Sequence, residues 1–495
     1  MGLSIKKELR VLGKHSSVYG LAAVLNGLVG FLLLPVYTRY LTTTDYGTLE
    51  ILYFVVTIIS ITMSVGIGEA MSRFYFDRKE QSERDTVVST TYIGYGVFSM
   101  ACSLALVSCA GMISNLVFDT RDMTVECALV LATMGTNFML DTGFGYFRVA
   151  QKSVHVTIHS VSKLLLTISL NILFLVGLDM GVKGILLGTL VANTSIGLVM
   201  TIPILRKIGL RLSIPVLKQM VRYGLPLIPS SMAIYLIIAA DRYFVKEYIG
   251  LAEAGLYTLG YKFGVLVGTF VTAPFNTIWY PRRFEYFNEE NSEKMYARIF
   301  TYFMSVVTLG VVAVSIFAPD IIKIMTTEKF WPAFQIVPII ALSQLFHSLF
   351  YHFSIGISYF KKTIYFTYIN IMTAVVNLSL NFLLIPTFGI WGAAWSTVIT
   401  YVVRASLTFY FSNRLCPLEF ETVRVLKLFL AGGIAYLLGG YIDTGSSWLN
   451  LIIKIGPLAG FVGLLYVLRF FTDGELKTAW DAIGRLRARF SDRMT

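Results

Sequence analysis

Fourteen apolar stretches follow one another along the chain, each long enough to cross a bilayer, and they predict fourteen transmembrane helices. Their approximate limits are 17–38, 47–69, 87–113, 125–147, 155–178, 183–205, 224–245, 254–278, 298–318, 333–357, 364–385, 391–412, 427–443 and 450–470. They are referred to below as spans 1 to 14. Polar connections are short. On the face reached after odd-numbered spans the longest, about 319–332, leaves no room for a folded domain.

Composition agrees with this pattern. Of 495 residues, 56% are hydrophobic and 14% charged, and the mean hydropathy is +0.69. A soluble domain of this length does not read that way. Charge then orients the spans. An even count puts both ends on one side, and 27 of the 41 Lys and Arg fall on that side. Only Arg39, Arg121, Lys246, Lys323 and Lys329 fall on the other. The positive-inside bias makes both termini cytoplasmic and accounts for the net charge of +12, with no nucleic acid needed. Residues 474–490 interleave Leu476, Trp480, Ile483 and Phe490 with Arg485, Arg487 and Arg489, and predict an interfacial amphipathic helix on membrane lipid. Residues 3–14 are a shorter candidate. The four cysteines have no metal spacing, and there is no nucleotide loop or nucleophile triad. No cofactor is expected.

The chain repeats itself. Gly181-Val182-Lys183-Gly184 with Thr189 matches Gly389-Ile390-Trp391-Gly392 with Thr397, at an offset of 208. Asp45-Tyr46-Gly47 matches Glu253-Ala254-Gly255 at the same offset. Lys152 with Ser169-Leu170-Asn171 matches Lys362 with Ser379-Leu380-Asn381 at 210. The repeat unit is six spans, an even number, so both copies have the same orientation. The expected fold is an all-α polytopic membrane protein: two six-helix lobes in a pseudo-two-fold arrangement, with two peripheral helices and a site between the lobes near the midplane. The expected divisions are 1–208 (spans 1 to 6), 209–413 (spans 7 to 12), and 414–495 (spans 13 and 14 with the basic tail).

Several strings carry a family resemblance. Leu34-Pro35-Val36-Tyr37-Thr38-Arg39-Tyr40-Leu41 runs into Asp45-Tyr46-Gly47. Tyr223-Gly224-Leu225-Pro226-Leu227-Ile228-Pro229-Ser230 leads to Asp241-Arg242-Tyr243-Phe244, and then to Gly255-Leu256-Tyr257-Thr258-Leu259-Gly260-Tyr261-Lys262. In this order, over about the first 412 residues, they resemble the Wzx-type O-antigen and capsule flippases of the multidrug/oligosaccharidyl-lipid/polysaccharide exporter superfamily. The resemblance implies a transporter of the bacterial inner membrane that moves an undecaprenyl-pyrophosphate-linked oligosaccharide from the cytoplasmic to the outer leaflet. Its implied role lies in O-antigen (lipopolysaccharide), capsule or exopolysaccharide synthesis, beside polymerase and chain-length-control proteins. The alternatives are a peptidoglycan-precursor flippase, a drug/cation antiporter of the same superfamily, and a membrane polysaccharide polymerase. A polymerase should carry a sizeable outer loop, which this chain lacks.

Ionisable groups inside spans need a reason, because each costs about 2.5–3.5 kcal/mol on insertion scales. Lys163, Arg242, Lys262 and Arg404 are embedded, and with Arg39, Arg73 and Arg148 they are the candidates for holding a pyrophosphate or acidic sugar. Asp141, Asp241, Glu69 and His347 are the candidates for ion or proton coupling. Two pairs have a plainer reading: Asp241–Arg242 as an interfacial pair, and Glu69–Arg73 as an i, i+4 pair at a helix end. Lys183, Lys454 and Arg469 are expected to snorkel. Asn370, Asn377 and Asn381 either bind sugar hydroxyls or bridge helices. Tyr257, Tyr261 and Trp279 either stack on sugars or anchor at the interface, and His347 and His352 either relay protons or bond neighbours. Gly260, Gly264 and Gly268 form a small-residue stripe for close helix packing, with Lys262 facing away from it. Pro35, Pro226, Pro229, Pro274 and Pro338 are expected to bend their spans.

Overall fold

A computed structural model of the chain describes residues 31–286 and 292–477. The start of span 1, the 3–14 segment and the tail beyond 477 lie outside the described residues. Within them every regular element is a helix, as a bilayer requires, since only internal hydrogen bonding satisfies the backbone there. Eleven helices are long and apolar enough to cross a membrane. The fourteen spans map onto these with three differences. Span 1 is described only from residue 31. Span 4, Thr124–Val149, is a full-length helix diluted by Glu126, Asp141 and Arg148. Spans 11 and 12 follow one another directly within Ile364–Asn413, parted only by the kink at Gly389. Large apolar side chains such as Leu116, Leu383 and Val467 lie on the outside, where lipid is the solvent.

The repeat has a backbone cause. Gly389 breaks the long run of spans 11 and 12 with φ 60° and ψ −139°. Its equivalent Gly181, at φ 56°, opens span 6, Gly181–Ile208. A left-handed residue turns each pair of spans back on itself, and glycine adopts it without steric cost. The expected prolines stand where the helical geometry changes within longer helical stretches. Pro35 and Pro338 stand in the first turn of their helices. Pro226 lies in the 3-10 turn Leu225–Leu227 and Pro229 in the first turn of Ile228–Tyr248. Pro274 follows a π turn at Gly268–Thr272.

The two lobes meet along span 2, Thr43–Ser64, which packs on span 7, Ile228–Tyr248, and on span 8, beginning with Leu251–Gly264. The repeat-related glycines Gly47 and Gly255 touch each other's helices here. A Cβ on Gly47 would stand 1.9 Å from the Leu251 carbonyl oxygen, and one on Gly255 would stand 2.2 Å from that of Thr43. A capping box between Thr42 and Asp45 fixes the start of span 2 at this crossing. Close by, Thr327 Oγ1 donates to the Thr38 carbonyl at 2.9 Å, and Lys246 pairs with Asp119 at 3.7 Å. These contacts close the seam at the end that is poor in Lys and Arg. At the other end Gly66 abuts Gly224. The Gly260–Gly264–Gly268 stripe packs on Ala333, Ile336, Ile340 and Gln344, as expected.

Spans 13 and 14 pack on span 9, Ser292–Met325, at the periphery. Lys454 does not snorkel. It is buried against Asp320 of span 9, Nζ to Oδ2 2.6 Å, and Asn450 donates to the other oxygen at 2.8 Å. This pair pins span 14 in place, and its partner lies 134 residues away.

Candidate functional site

A cavity of about 410 Å³ opens within the first lobe. Its charged lining is Lys163 of span 5, Glu50 of span 2 and Lys262 of span 8. Its polar lining includes Tyr37, Tyr46, Tyr53, Asn171, Thr189 and Asn193. Span 5 is the helix Ser153–Ile172, where Lys163, Thr167 and Asn171 recur at one-turn spacing on one face. Asn171 donates to the Tyr37 hydroxyl at 2.7 Å. A Cβ on Gly188 would stand 2.4 Å from the Asn171 side-chain oxygen, so that glycine makes room for the amide. Asn193 donates to Asn137 at 2.9 Å.

Lys262 is the one second-lobe side chain among the residues lining this cavity. Its Nζ donates to Glu50 Oε1 at 2.6 Å and to the Tyr46 hydroxyl at 2.8 Å, and it lies 4.9 Å from the centre of the Tyr46 ring. Below the cavity, Asp141 of span 4 is within electrostatic reach of Lys163, Arg148 and Glu69. Asp141, Arg148 and Glu69 are all exposed although they belong to packed helices. They form a polar track from the cavity toward the end rich in Lys and Arg. Arg148 Nε also donates to the Phe144 carbonyl at 3.3 Å.

The corresponding part of the second lobe is filled with side chains. Asp241, 1% exposed, accepts hydrogen bonds from Tyr257, from Thr397 at 3.5 Å and from the Arg242 amide at 2.9 Å. Arg242 Nη1 lies 3.5 Å from Asp241 and donates to the Ile238 carbonyl at 2.8 Å, and the guanidinium covers the Tyr261 ring at 4.5 Å. The pair is therefore buried packing between spans 7, 8 and 12, not an interfacial pair. Tyr53 and Asn193 of the first lobe correspond to Tyr261 and Tyr401 here, at an offset of 208. The larger Tyr401 ring takes up space that Asn193 leaves open.

Arg404 is also in the second lobe. It donates to Asn370 at 3.1 Å and stacks on Phe350 at 4.1 Å. It makes no ion pair among the described residues. His347 lies near it, with its ring 4.7 Å from that of Tyr401. His352 packs among Phe275, Trp279, Phe300 and Phe303. Asn377 donates to Thr400 of span 12 at 3.2 Å, and Asn381, one turn further along span 11, donates to Asn377 at 3.2 Å. Tyr257, Tyr261 and Trp279 are core residues, at most 5% exposed.

Two candidates stand apart from the rest. Arg39 is exposed at the last turn of Leu34–Tyr40. Arg73 pairs with Asp77 at 3.7 Å and covers Tyr223 at 4.7 Å. The expected Glu69–Arg73 pair gives way to this one, one turn further on, because Glu69 faces the Asp141 cluster. The structure thus brings Lys163, Lys262, Asp141, Arg148 and Glu69 to one region. It separates from them Arg404–His347, Arg73 and Arg39, while Arg242, packed on Asp241, stays within electrostatic reach of Glu50 and Tyr46. Glu50 was not among the sequence candidates. Its signal was an acid inside span 2, one turn after Tyr46. Among the described residues no three His, Cys, Asp or Glu are grouped to hold a metal ion.

Two lobes of transmembrane helices, a repeat with parallel orientation and a cavity that holds Lys163, Glu50 and Lys262 define the fold. A lipid II flippase, MurJ, in an inward closed conformation has this fold, with a TM-score of 0.75 at 13% identity over 91% of this chain and 98% of that one. So has a multidrug resistance MATE family transporter of the MOP superfamily in an inward-facing conformation, at 0.64, 15%, 78% and 94%. An outward-facing MATE structure scores 0.56 at 15% identity, over 81% and 95%. Residues 12–287 match the family described as polysaccharide biosynthesis protein, and the chain belongs to that family. It is also 31% identical over 138 residues to an uncharacterised membrane protein of Methanocaldococcus jannaschii, a match spanning 27% of each chain.

Proposed function

We propose that this protein is a flippase that carries an undecaprenyl-pyrophosphate-linked oligosaccharide from the cytoplasmic to the outer leaflet by alternating access, for O-antigen, capsule or exopolysaccharide synthesis. It sits in the inner membrane with both termini in the cytoplasm. The observation that carries this reading is the convergence of Lys163 and Lys262 on one polar cavity inside the membrane. A pyrophosphate is a compact, highly charged anion, and two ammonium groups in a low-dielectric setting are strong partners for it. The amides, hydroxyls and tyrosine rings around them suit sugar hydroxyls and sugar faces. The exposed track of Asp141, Arg148 and Glu69 lets the polar head enter from the cytoplasmic side while the polyprenyl tail stays in lipid. Family membership agrees with such a cargo. A drug/cation antiporter fits less well, because Glu50 is already bound to Lys262 and Asp141 faces Lys163.

Complementation tests the proposal. In strains that each lack one defined O-antigen, capsule or peptidoglycan-precursor flippase, this gene should restore surface glycan in one of the polysaccharide strains. Lys163→Gln should cut that restoration at least about tenfold at unchanged protein level. Rescue of the peptidoglycan strain alone would reassign the cargo. Full rescue by Lys163→Gln would remove the cavity from the account.

A further inference from the structure

The Glu50–Lys262 pair is unusual in its position. It joins the two lobes, it lies in the cavity wall, and it is only partly covered: the Lys262 side chain is 38% exposed and that of Glu50 12%. Lys262 Nζ has three hydrogens. Glu50 and Tyr46 take two of them, which leaves one for the cavity. Lys163 lines the same cavity. An anion entering there meets one lysine within electrostatic reach of Asp141 and a second lysine already engaged by a carboxylate.

We propose that Glu50 is a specificity-determining residue: it stands in for a phosphate on Lys262, so that only an anion with a second phosphate to place on Lys163 gains by displacing it. This rests on the flippase reading above. A polyprenyl monophosphate has a single phosphate group, which can replace Glu50 on Lys262 or face Lys163 but not both. A sugar-linked diphosphate carries about the same total charge on two linked phosphates, so that one can face Lys163 while the other replaces Glu50, and the second contact offsets the loss of the Glu50 pair. Discrimination built from a standing competitor is a penalty on the wrong ligand as well as a reward for the right one. It would keep a polyprenyl monophosphate out of the cavity while admitting a sugar-linked diphosphate.

The test uses the full chain in phosphatidylcholine nanodiscs, with undecaprenyl phosphate and undecaprenyl diphosphate as the probes and native mass spectrometry as the readout. The wild type should prefer the diphosphate. Glu50→Gln, nearly isosteric, should bind both lipids more tightly, with the monophosphate gaining more, so that the preference narrows about three- to tenfold. Glu50→Asp keeps the charge but lengthens the pair, and should shift the ratio the same way by less. Lys262→Gln should weaken diphosphate binding and reduce the preference. An unchanged ratio in Glu50→Gln would overturn the proposal and leave the flippase reading standing. If that variant does not fold, an unchanged ratio in Glu50→Asp overturns it instead. A wild type that binds neither lipid overturns the flippase reading, and this proposal with it.

Discussion

Lys262 shows how far a single residue can be read. An embedded lysine on the face opposite a glycine stripe had to point at water or at a partner, and it does both. Its partner Glu50 is 212 residues away, and nothing in span 2 announces which of its faces will meet span 8. The same limit hid the Asp320–Lys454 pair. Lys454 near the edge of an apolar stretch looks like a snorkelling residue until span 9 supplies a carboxylate. Both members of that pair are nearly inaccessible, at 5% and 2% of side-chain area. Removing one partner leaves a buried charge, which costs about 3–5 kcal/mol, whereas an apolar pair of similar volume is close to neutral. Asp320→Asn should therefore lower the thermal unfolding temperature in detergent sharply, and Asp320→Leu with Lys454→Met should recover most of the loss. A single variant as stable as the wild type would show that the pair does not anchor span 14.

At the scale of elements, the spans and the repeat were legible because apolar runs and glycine spacing are local signals. Gly181 and Gly389 repeat because both need a left-handed backbone. Gly47 and Gly255 repeat because each faces the other's helix. The site was less legible. Its two halves share a fold but differ in side-chain volume, so the first lobe holds a cavity where the second holds Asp241, Tyr257, Tyr261 and Tyr401. The C-terminal segment has its own attachment. Glu475 accepts from Arg424 at 2.9 Å and from the Thr472 amide at 2.9 Å. Burial alone would raise its pKa, but hydrogen bonds from Tyr302 and Thr472 and the charge of Arg424 hold it below the ordinary glutamate value of 4.5. The clamp is therefore in force at neutral pH and is lost as the pH falls below that value. Hydrogen exchange at residues 472–477 should rise on acidification, and Arg424→Gln should show the same rise already at neutral pH. Exchange that is independent of pH in the wild type would mean that Glu475 holds nothing.

For the whole molecule, the proposed function places its mechanism at the seam between lobes. The seam is tied at the Lys/Arg-poor end by the Gly47–Gly255 crossing and the Thr327–Thr38 bond, and part-way down by Glu50–Lys262. Under that proposal, cargo that draws Lys262 away from Glu50 would remove one tie from the closed seam and so couple loading to opening by differential binding. The most direct measurement is translocation itself. Purified protein in liposomes, given an undecaprenyl diphosphate bearing a fluorescent sugar in both leaflets, should expose the inner pool to an outside quencher or enzyme. Lys163→Gln and a Thr38→Cys/Thr327→Cys disulfide lock should each reduce that exposure to the level of empty liposomes, and reducing the disulfide should restore it. Translocation that persists unchanged through both the cavity variant and the locked seam would contradict the account.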